Sequence, residues 1–477
     1  MRRACIPVGR FRKCQASCGG RWWDAWLGWA FQFWLDADAA LLGAFLSNCL
    51  QGSRLFALRK RFMEPFMLKN GRRSALFRFS ALADETVLIP GGIGCRMDLE
   101  AKAATTPPPI PHTRQILYTT SPYIINFLPN NGSALTQYAP LYTEHLSPLH
   151  STHLSPKHRR PTILLLHGSS QTGAIWSFAP NPAVTPWSSL FLRASYPLLI
   201  PDTLSQGRSS SRVDEGLTIG LDAEMVAKYF TNTAAYNLWP QAKLHTQWKG
   251  TGEPGDAVFD AHYAGYVPIA QQDKYMKMDM RDQVVDMVRN ALGADDELVI
   301  IAHSAGANWA IGIVDELDAL KAKGAPKVKG LVLLEPSGPP LEDKVLTWGE
   351  PGPKRIWGLT DYEIRYEPAV EDPVKDIVEN AVKVGEETEE RASCWEQGGV
   401  VRKLVGYEGV EVLVVTSEAG YHAVYDHCTV GWFRQAGVSV SHWELGKMGV
   451  RGGGDMMFLE EGGEEVWKRV EGWIGKL

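Results

Sequence analysis

The chain has 477 residues, of which 45 % are hydrophobic and 22 % charged, with a net charge of −5. That is enough length for a large buried core, and the slight acidity excludes nucleic-acid binding as a leading reading. The charge is uneven: residues 1–80 hold 14 Lys/Arg against 4 Asp/Glu, so they carry +10 and the remainder carries −15.

Residues 1–105 therefore form a basic extension, expected to be poorly ordered. Trp22–Leu50 is rich in Trp, Phe, Leu and Ala, but Asp24, Asp36 and Asp38 interrupt it. It makes neither an integral membrane span nor a clean signal peptide, so the compartment is left open. Five of the seven cysteines lie in the first hundred residues. No metal-ligand spacing accompanies them, and no metal or cofactor is expected. Cys394 and Cys428 are expected to be two separate thiols, with a disulfide as the alternative in a secreted protein. Asn131-Gly-Ser133 is a glycosylation triplet of the kind that arises by chance.

The proline-rich run Thr105-Thr-Pro-Pro-Pro-Ile-Pro111 marks a boundary, and residues 106–477 are expected to form one domain. Gln115–Phe127 alternates and predicts an early strand pair with the adjoining downstream segment; 130–160 reads as a loop. Short apolar runs at Thr162–Leu166, Tyr196–Pro201, Glu297–Ala302, Lys329–Leu334 and Val410–Thr416 predict strands buried on both faces. Met280, Val284 and Val288, with Met287 and Leu292, predict a helix stopped near Gly293. Val466, Val470, Trp473 and Ile474 predict a C-terminal one. Strands alternating with helices give a three-layer α/β fold, a mostly parallel sheet with helices on both faces. Two stretches break the alternation, about 212–270 and 341–400. Both are cap candidates; the first is expected to roof a pocket and the second to lie at the surface.

Ser304 lies in Glu297-Leu-Val-Ile-Ile-Ala-His-Ser-Ala-Gly306, where a buried-strand run meets helical sequence. Small residues stand two before it (Ala302) and two after (Gly306), as a tight strand-to-helix turn requires, and such a turn exposes a nucleophilic hydroxyl. A serine hydroxyl needs a base, a group that orients the base, and oxyanion donors. The N–H groups of Ala305 and Ser169 are the expected donors. Gly168 lets the backbone approach a ligand, and His167 beside it is expected to be a structural hydrogen-bonder within that binding loop. Glu335, Glu418 and Asp426 are candidate acids. Glu335 is favoured because a carboxylate at a buried strand end is costly without a role.

Together, His167-Gly-Ser-Ser-Gln-Thr-Gly173, Asp202-x4-Gly207-Arg-Ser209, Ala302-His-Ser-Ala-Gly306 and Glu335-Pro-Ser-Gly338 resemble the α/β-hydrolases. The likeness is to esterase-like members from bacteria and fungi whose triad acid follows strand six, and it covers roughly 115–477. The resemblance implies Ser304 as nucleophile, Glu335 as acid and a histidine in His-Gly-Asn-x-His-Met-Met as base. Here that motif reads Arg451-Gly-Gly-Gly-Asp455-Met-Met457, so Asp455 occupies the base position. An aspartate has a reference pKa of about 3.9 and is a weak base at neutral pH. Next to Glu335 it should push one of the two pKa values up. His422, His427 and His442 are substitute bases on paper, each expected to be structural. The expectation is a carboxylic-ester hydrolase of reduced activity acting on an apolar, ester-like small molecule. The alternative is a non-catalytic protein that binds a small molecule or a partner. Oligomeric state is not readable.

Overall fold

The computed structural model describes residues 110–119, 123–127, 132–137, 140–149, 160–210, 217–218, 220–270, 274–347 and 352–477. The basic extension, the Trp22–Leu50 run and Asn131 lie outside them. Eight strands form the main sheet: β1 (His112–Tyr118), β2 (Tyr142–Pro148), β3 (Thr162–Leu166), β4 (Leu198–Pro201), β5 (Glu297–His303), β6 (Lys327–Leu334), β7 (Glu411–Thr416) and β8 (Ser439–Glu444). Their spatial order is β1-β2-β4-β3-β5-β6-β7-β8. β1/β2 and β2/β4 pair antiparallel; every other pair is parallel.

The main helices are α1 (Trp187–Arg193), α2 (Lys274–Ala291), α3 (Gly306–Ala319), α4 (Asp426–Gln435) and α5 (Gly463–Ile474). Strand side chains alternate between faces, and the core divides accordingly. On β5, Leu298, Ile300 and Ala302 join a cluster with Met280, Val284 and Val288 of α2, Trp309 and Ile313 of α3, and Phe433 of α4. Val299 and Ile301 join Trp187 and Phe191 of α1 and Val466 and Val470 of α5. This is the three-layer α/β arrangement, with the apolar stripes of α2 and α5 where their spacing placed them.

The 130–160 stretch departs from expectation. It is not one loop but holds Ser133–Gln137, which pairs with Tyr123–Phe127, and β2, which joins β1 to the sheet. β8 carries no clear strand signal either, because Ser-Val-Ser-His-Trp-Glu is mostly polar and sits at the sheet edge. Cys394 and Cys428 form a disulfide, against the expectation of separate thiols. It ties Cys394–Glu396, paired with Val382–Val384, to α4. Closing a loop of 34 residues stabilises by about 4 kcal/mol in the chain-entropy picture. Cys394→Ser is therefore expected to lower the midpoint of thermal unfolding, and a reducing agent to lower it equally in the unchanged protein. A midpoint indifferent to both contradicts the assignment.

No helix among the described residues is long and apolar enough to cross a membrane.

Candidate active site

β3 and β5 are neighbours, while the chain runs from β3 to β4 on one side and from β5 to β6 on the other. This reversal leaves a crevice at the carboxyl ends of the two strands. Gly168 follows β3 there and Ser304 follows β5. Ser304 has φ 51°, a left-handed backbone unusual for a residue with a Cβ. It is held there at both ends: its N–H donates to Leu334 O at 3.1 Å, and its carbonyl accepts from Ser337 N at 3.2 Å. Gly306 permits the turn, since a Cβ there would stand 2.7 Å from the His167 carbonyl oxygen. Glu335 (φ 47°) and Ser170 (φ 58°) are left-handed as well. Such outliers cluster where a fold over-determines its backbone.

Ser304 opens onto a cavity of about 50 Å³ that Gly168, Ser169, Ala305 and Asp455 also line. Gln171 braces the loop: its Oε1 accepts from Gly168 N at 3.1 Å. His167 sits behind that loop and does not line the cavity. Its Nε2 accepts from Thr203 N at 3.0 Å and its Nδ1 lies 2.8 Å from Gly168 O. Leu221 and Phe230 from 212–270 line the cavity, and so does Leu346 from 341–400. The second stretch thus contributes to the wall, where only surface was expected.

Asp455 is fully buried. Its Oδ1 accepts from His303 Nε2 at 2.9 Å. Its Oδ2 lies 3.1 Å from His422 Nε2, close enough for a charge contact but not aligned as a hydrogen bond. Neither oxygen hydrogen-bonds Ser304 or Glu335, the partners expected of it. The loop that carries it is well fastened. Gly452 O accepts from Thr246 N and Gln247 N at 2.9 and 3.1 Å, and Gly454 N donates to Glu460 at 2.8 Å, which also meets His245 at 2.9 Å. Beneath it, Phe458 stacks on Trp176 with ring centroids 4.6 Å apart.

Glu335 is buried at the end of β6, with Oε1 accepting from Ser417 N and Oε2 unpartnered. His422 Nδ1 lies 3.0 Å from Pro336 O, 2.8 Å from the Tyr425 hydroxyl and 3.6 Å from Asp426 Oδ1. Of the other acid candidates, Asp426 is held behind His422 by Thr416 Oγ1 at 2.6 Å. Glu418 fastens Gly452 N at 2.7 Å and pairs with Arg451. His442 Nε2 meets Thr416 Oγ1 at 2.9 Å, and His427 Nε2 meets Ala392 O at 3.0 Å, both away from the cavity. His303 is the partner of Asp455 that the sequence did not reveal; His422, named from the sequence as a substitute base, is the other. The one available signal was the i, i+4 spacing of His422 and Asp426.

Burial pushes the Glu335 pKa well above the usual carboxylate range; His422 opposes this, and Asp426 and Asp455 add to it. Burial also tends to raise Asp455, but His303 and His422 overrule it and hold that group at about 2. Burial would lower His422, yet Asp426, Asp455 and Glu335 raise it to about 10. Of the two neighbouring carboxylates, burial drives Glu335 toward its neutral form, while His303 and His422 favour the anion of Asp455.

These groups shape stability as well. Burial depresses His167 to about 4 and His262 to about 3. Below pH 6.5 the unfolded chain takes up protons that the fold refuses, so stability falls as pH drops toward 4. His422 acts in the opposite sense: its contribution is complete below pH 6.5 and is lost as pH rises toward 10. The unfolding midpoint is expected to peak near pH 6.5 and decline on both sides. A midpoint that holds from about pH 7 to 10 contradicts the His422 pairing.

No family model matches the chain. Among known proteins, it is 34 % identical over 314 residues to "Probable secreted lipase phiG" from a fungal species, covering 66 % of this chain and 81 % of that protein. Among solved structures, a bacterial esterase matches at 16 % identity and TM-score 0.45, over 76 % of this chain and 95 % of that one. A peroxisomal α/β-hydrolase of Saccharomyces cerevisiae matches at 12 % identity and TM-score 0.37, over 76 % of this chain and 88 % of that one. With a relative of that identity and extent, and with Ser304 on the turn between β5 and α3 of a three-layer sheet, the chain belongs to the α/β-hydrolase superfamily.

Proposed function

We propose that the protein is a serine carboxylic-ester hydrolase whose turnover is held low by Asp455. Ser304 is the nucleophile, the N–H groups of Ser169 and Ala305 receive the oxyanion, and Glu335 is the acid left over from a triad. The observation that carries the reading is the left-handed Ser304, pinned at the β5–α3 turn and open to a cavity shared with Ser169 and Ala305. The fungal relative, named as a lipase, supports ester chemistry. Its name also speaks of secretion, and the Cys394–Cys428 disulfide suits an oxidising compartment.

In this reading the same site holds the rate low. An Asp455 carboxylate with a pKa of about 2 is a poor acceptor for a hydroxyl proton at neutral pH. Neither His303 Nδ1 nor His422 Nε2 has a hydrogen-bond partner, so neither imidazole engages Ser304. This last observation favours a second reading, a protein that binds a small apolar ligand without turning it over. Hydrolysis of a short-chain p-nitrophenyl ester separates the two. The expected outcome is slow release of p-nitrophenol that Ser304→Ala abolishes. Release identical in both proteins supports the binding reading.

A further inference from the structure

We propose that the cavity beside Ser304 is an acyl pocket for short chains, so that the favoured substrate is an ester of a carboxylic acid of about two to four carbons, with Leu221, Phe230, Tyr421 and Met456 setting the length limit. The inference rests on the hydrolase reading above and names the substrate class of that site. Three observations lead to it. The cavity onto which Ser304 opens is small, about 50 Å³. One side of it is closed by apolar and aromatic side chains, since Leu221, Phe230, Tyr421 and Met456 line it and all are buried. The other side, with Ser169, Ser304, Ala305 and Leu346, is half-buried and reaches solvent.

In the hydrolase reading Ser304 Oγ bonds the acyl carbon, the alcohol leaves with the serine proton, and water then releases the acyl group as the acid and returns a proton to Ser304. The acyl group must therefore fit beside Ser304, while the alcohol can leave by the half-buried side. One water needs roughly 10–15 Å³ of such volume. The cavity of about 50 Å³ thus admits roughly three to five non-hydrogen atoms. Acetyl, propionyl and butyryl groups fall in that range; an octanoyl group is far outside it.

The closed walls are held from behind. Phe230 and Trp239 both meet Tyr421 edge-on, with ring centroids 6.3 and 5.9 Å away. Trp239 Nε1 donates to Ala419 O at 3.0 Å, which ties the 212–270 stretch to the segment after β7. Thr231, next to Phe230, donates its hydroxyl to Gly252 O at 2.7 Å. Tyr421 also packs on His422 with ring centroids 4.0 Å apart, and Gln171 Nε2 donates to Met456 Sδ at 3.6 Å. Walls fixed in this way discriminate by length. A methylene without room in a closed apolar pocket costs on the order of 10- to 200-fold, whereas a long apolar groove would gain from each added methylene. Specificity should therefore fall with acyl length. Phe230 carries no polar group, so Phe230→Ala enlarges the cavity without altering its hydrogen bonding; Leu221→Ala does the same on a smaller scale.

The test uses the full chain with p-nitrophenyl acetate, butyrate and octanoate, each below the concentration at which it aggregates, and subtracts the rate of the Ser304→Ala protein. kcat/KM is expected to fall about 100-fold from butyrate to octanoate. Phe230→Ala should raise octanoate hydrolysis relative to acetate by about 10-fold. Leu221→Ala, the gentler change should the first variant fail to fold, should move that ratio in the same direction, and the unfolding midpoint reports folding in each. Octanoate hydrolysed as well as acetate, or better, overturns the proposal. So does a folded variant whose acetate-to-octanoate ratio equals that of the unchanged protein. The failures are distinguishable: Ser304-dependent hydrolysis without a length preference removes this inference alone, and no Ser304-dependent hydrolysis of any of these esters removes the hydrolase reading with it.

Discussion

Replacing Asp455 by histidine is expected to raise ester turnover steeply, on the order of 10⁴-fold, which is about what removing a triad histidine takes away. The surroundings are prepared for the change. Glu335 Oε2 is buried, unpartnered and able to accept an imidazole N–H. Burial pushes the Glu335 pKa up, and Asp455 is one of the charges that push it further. Exchanging that anion for an imidazole removes the repulsion and supplies a donor, so Glu335 should ionise and orient the new ring. The loop from Gly452 to Leu459 is fixed by Thr246, Gln247, Glu460 and the Phe458–Trp176 stack, none of which involves the Asp455 side chain. The ring should therefore enter without disturbing the backbone. If turnover does not change, position 455 is not where the base belongs.

The second large effect concerns backbone strain. A residue with a Cβ in the left-handed region costs roughly 1–2 kcal/mol, and glycine escapes most of that. Ser304 has φ 51°. Ser304→Gly is therefore expected to abolish turnover completely while raising stability by about 1 kcal/mol, read as a higher unfolding midpoint. Loss of activity with a gain in stability at one position is the mark of a strained functional residue. Retained turnover, or a marked fall in the midpoint, contradicts the strained-nucleophile reading.

The parts of the fold legible in the sequence were those buried on both sides. Thr162–Leu166 and Glu297–His303 are apolar almost throughout because helices cover both faces, and continuous apolar runs are easy to see. β2 and β8 were hidden because each mixes polar residues into an outer strand. Tyr142–Pro148 even ends in proline, which β2 tolerates at its terminus. The Ser304 turn could be read because its steric demands are local: small residues at fixed offsets around one serine. The environment of Asp455 could not. It is set by His303, 152 residues away in the chain, and by His422 from the segment after β7. No local pattern encodes such a meeting, nor the pairing of Cys394 with Cys428. Asp455 itself was legible, standing in Gly452-Gly-Gly-Asp455-Met-Met457. What folding adds is that two histidines hold that aspartate's pKa down while burial pushes that of Glu335 up.

Ser304 is proposed here as a reactive nucleophile with Asp455 at the position of its base. Incubating the protein with a fluorophosphonate and mapping the adduct by peptide mass spectrometry tests it most directly. Slow, single-site modification of Ser304, absent after prior denaturation, is expected. An unmodified protein, or an adduct spread over other serines with Ser304 untouched, would contradict it.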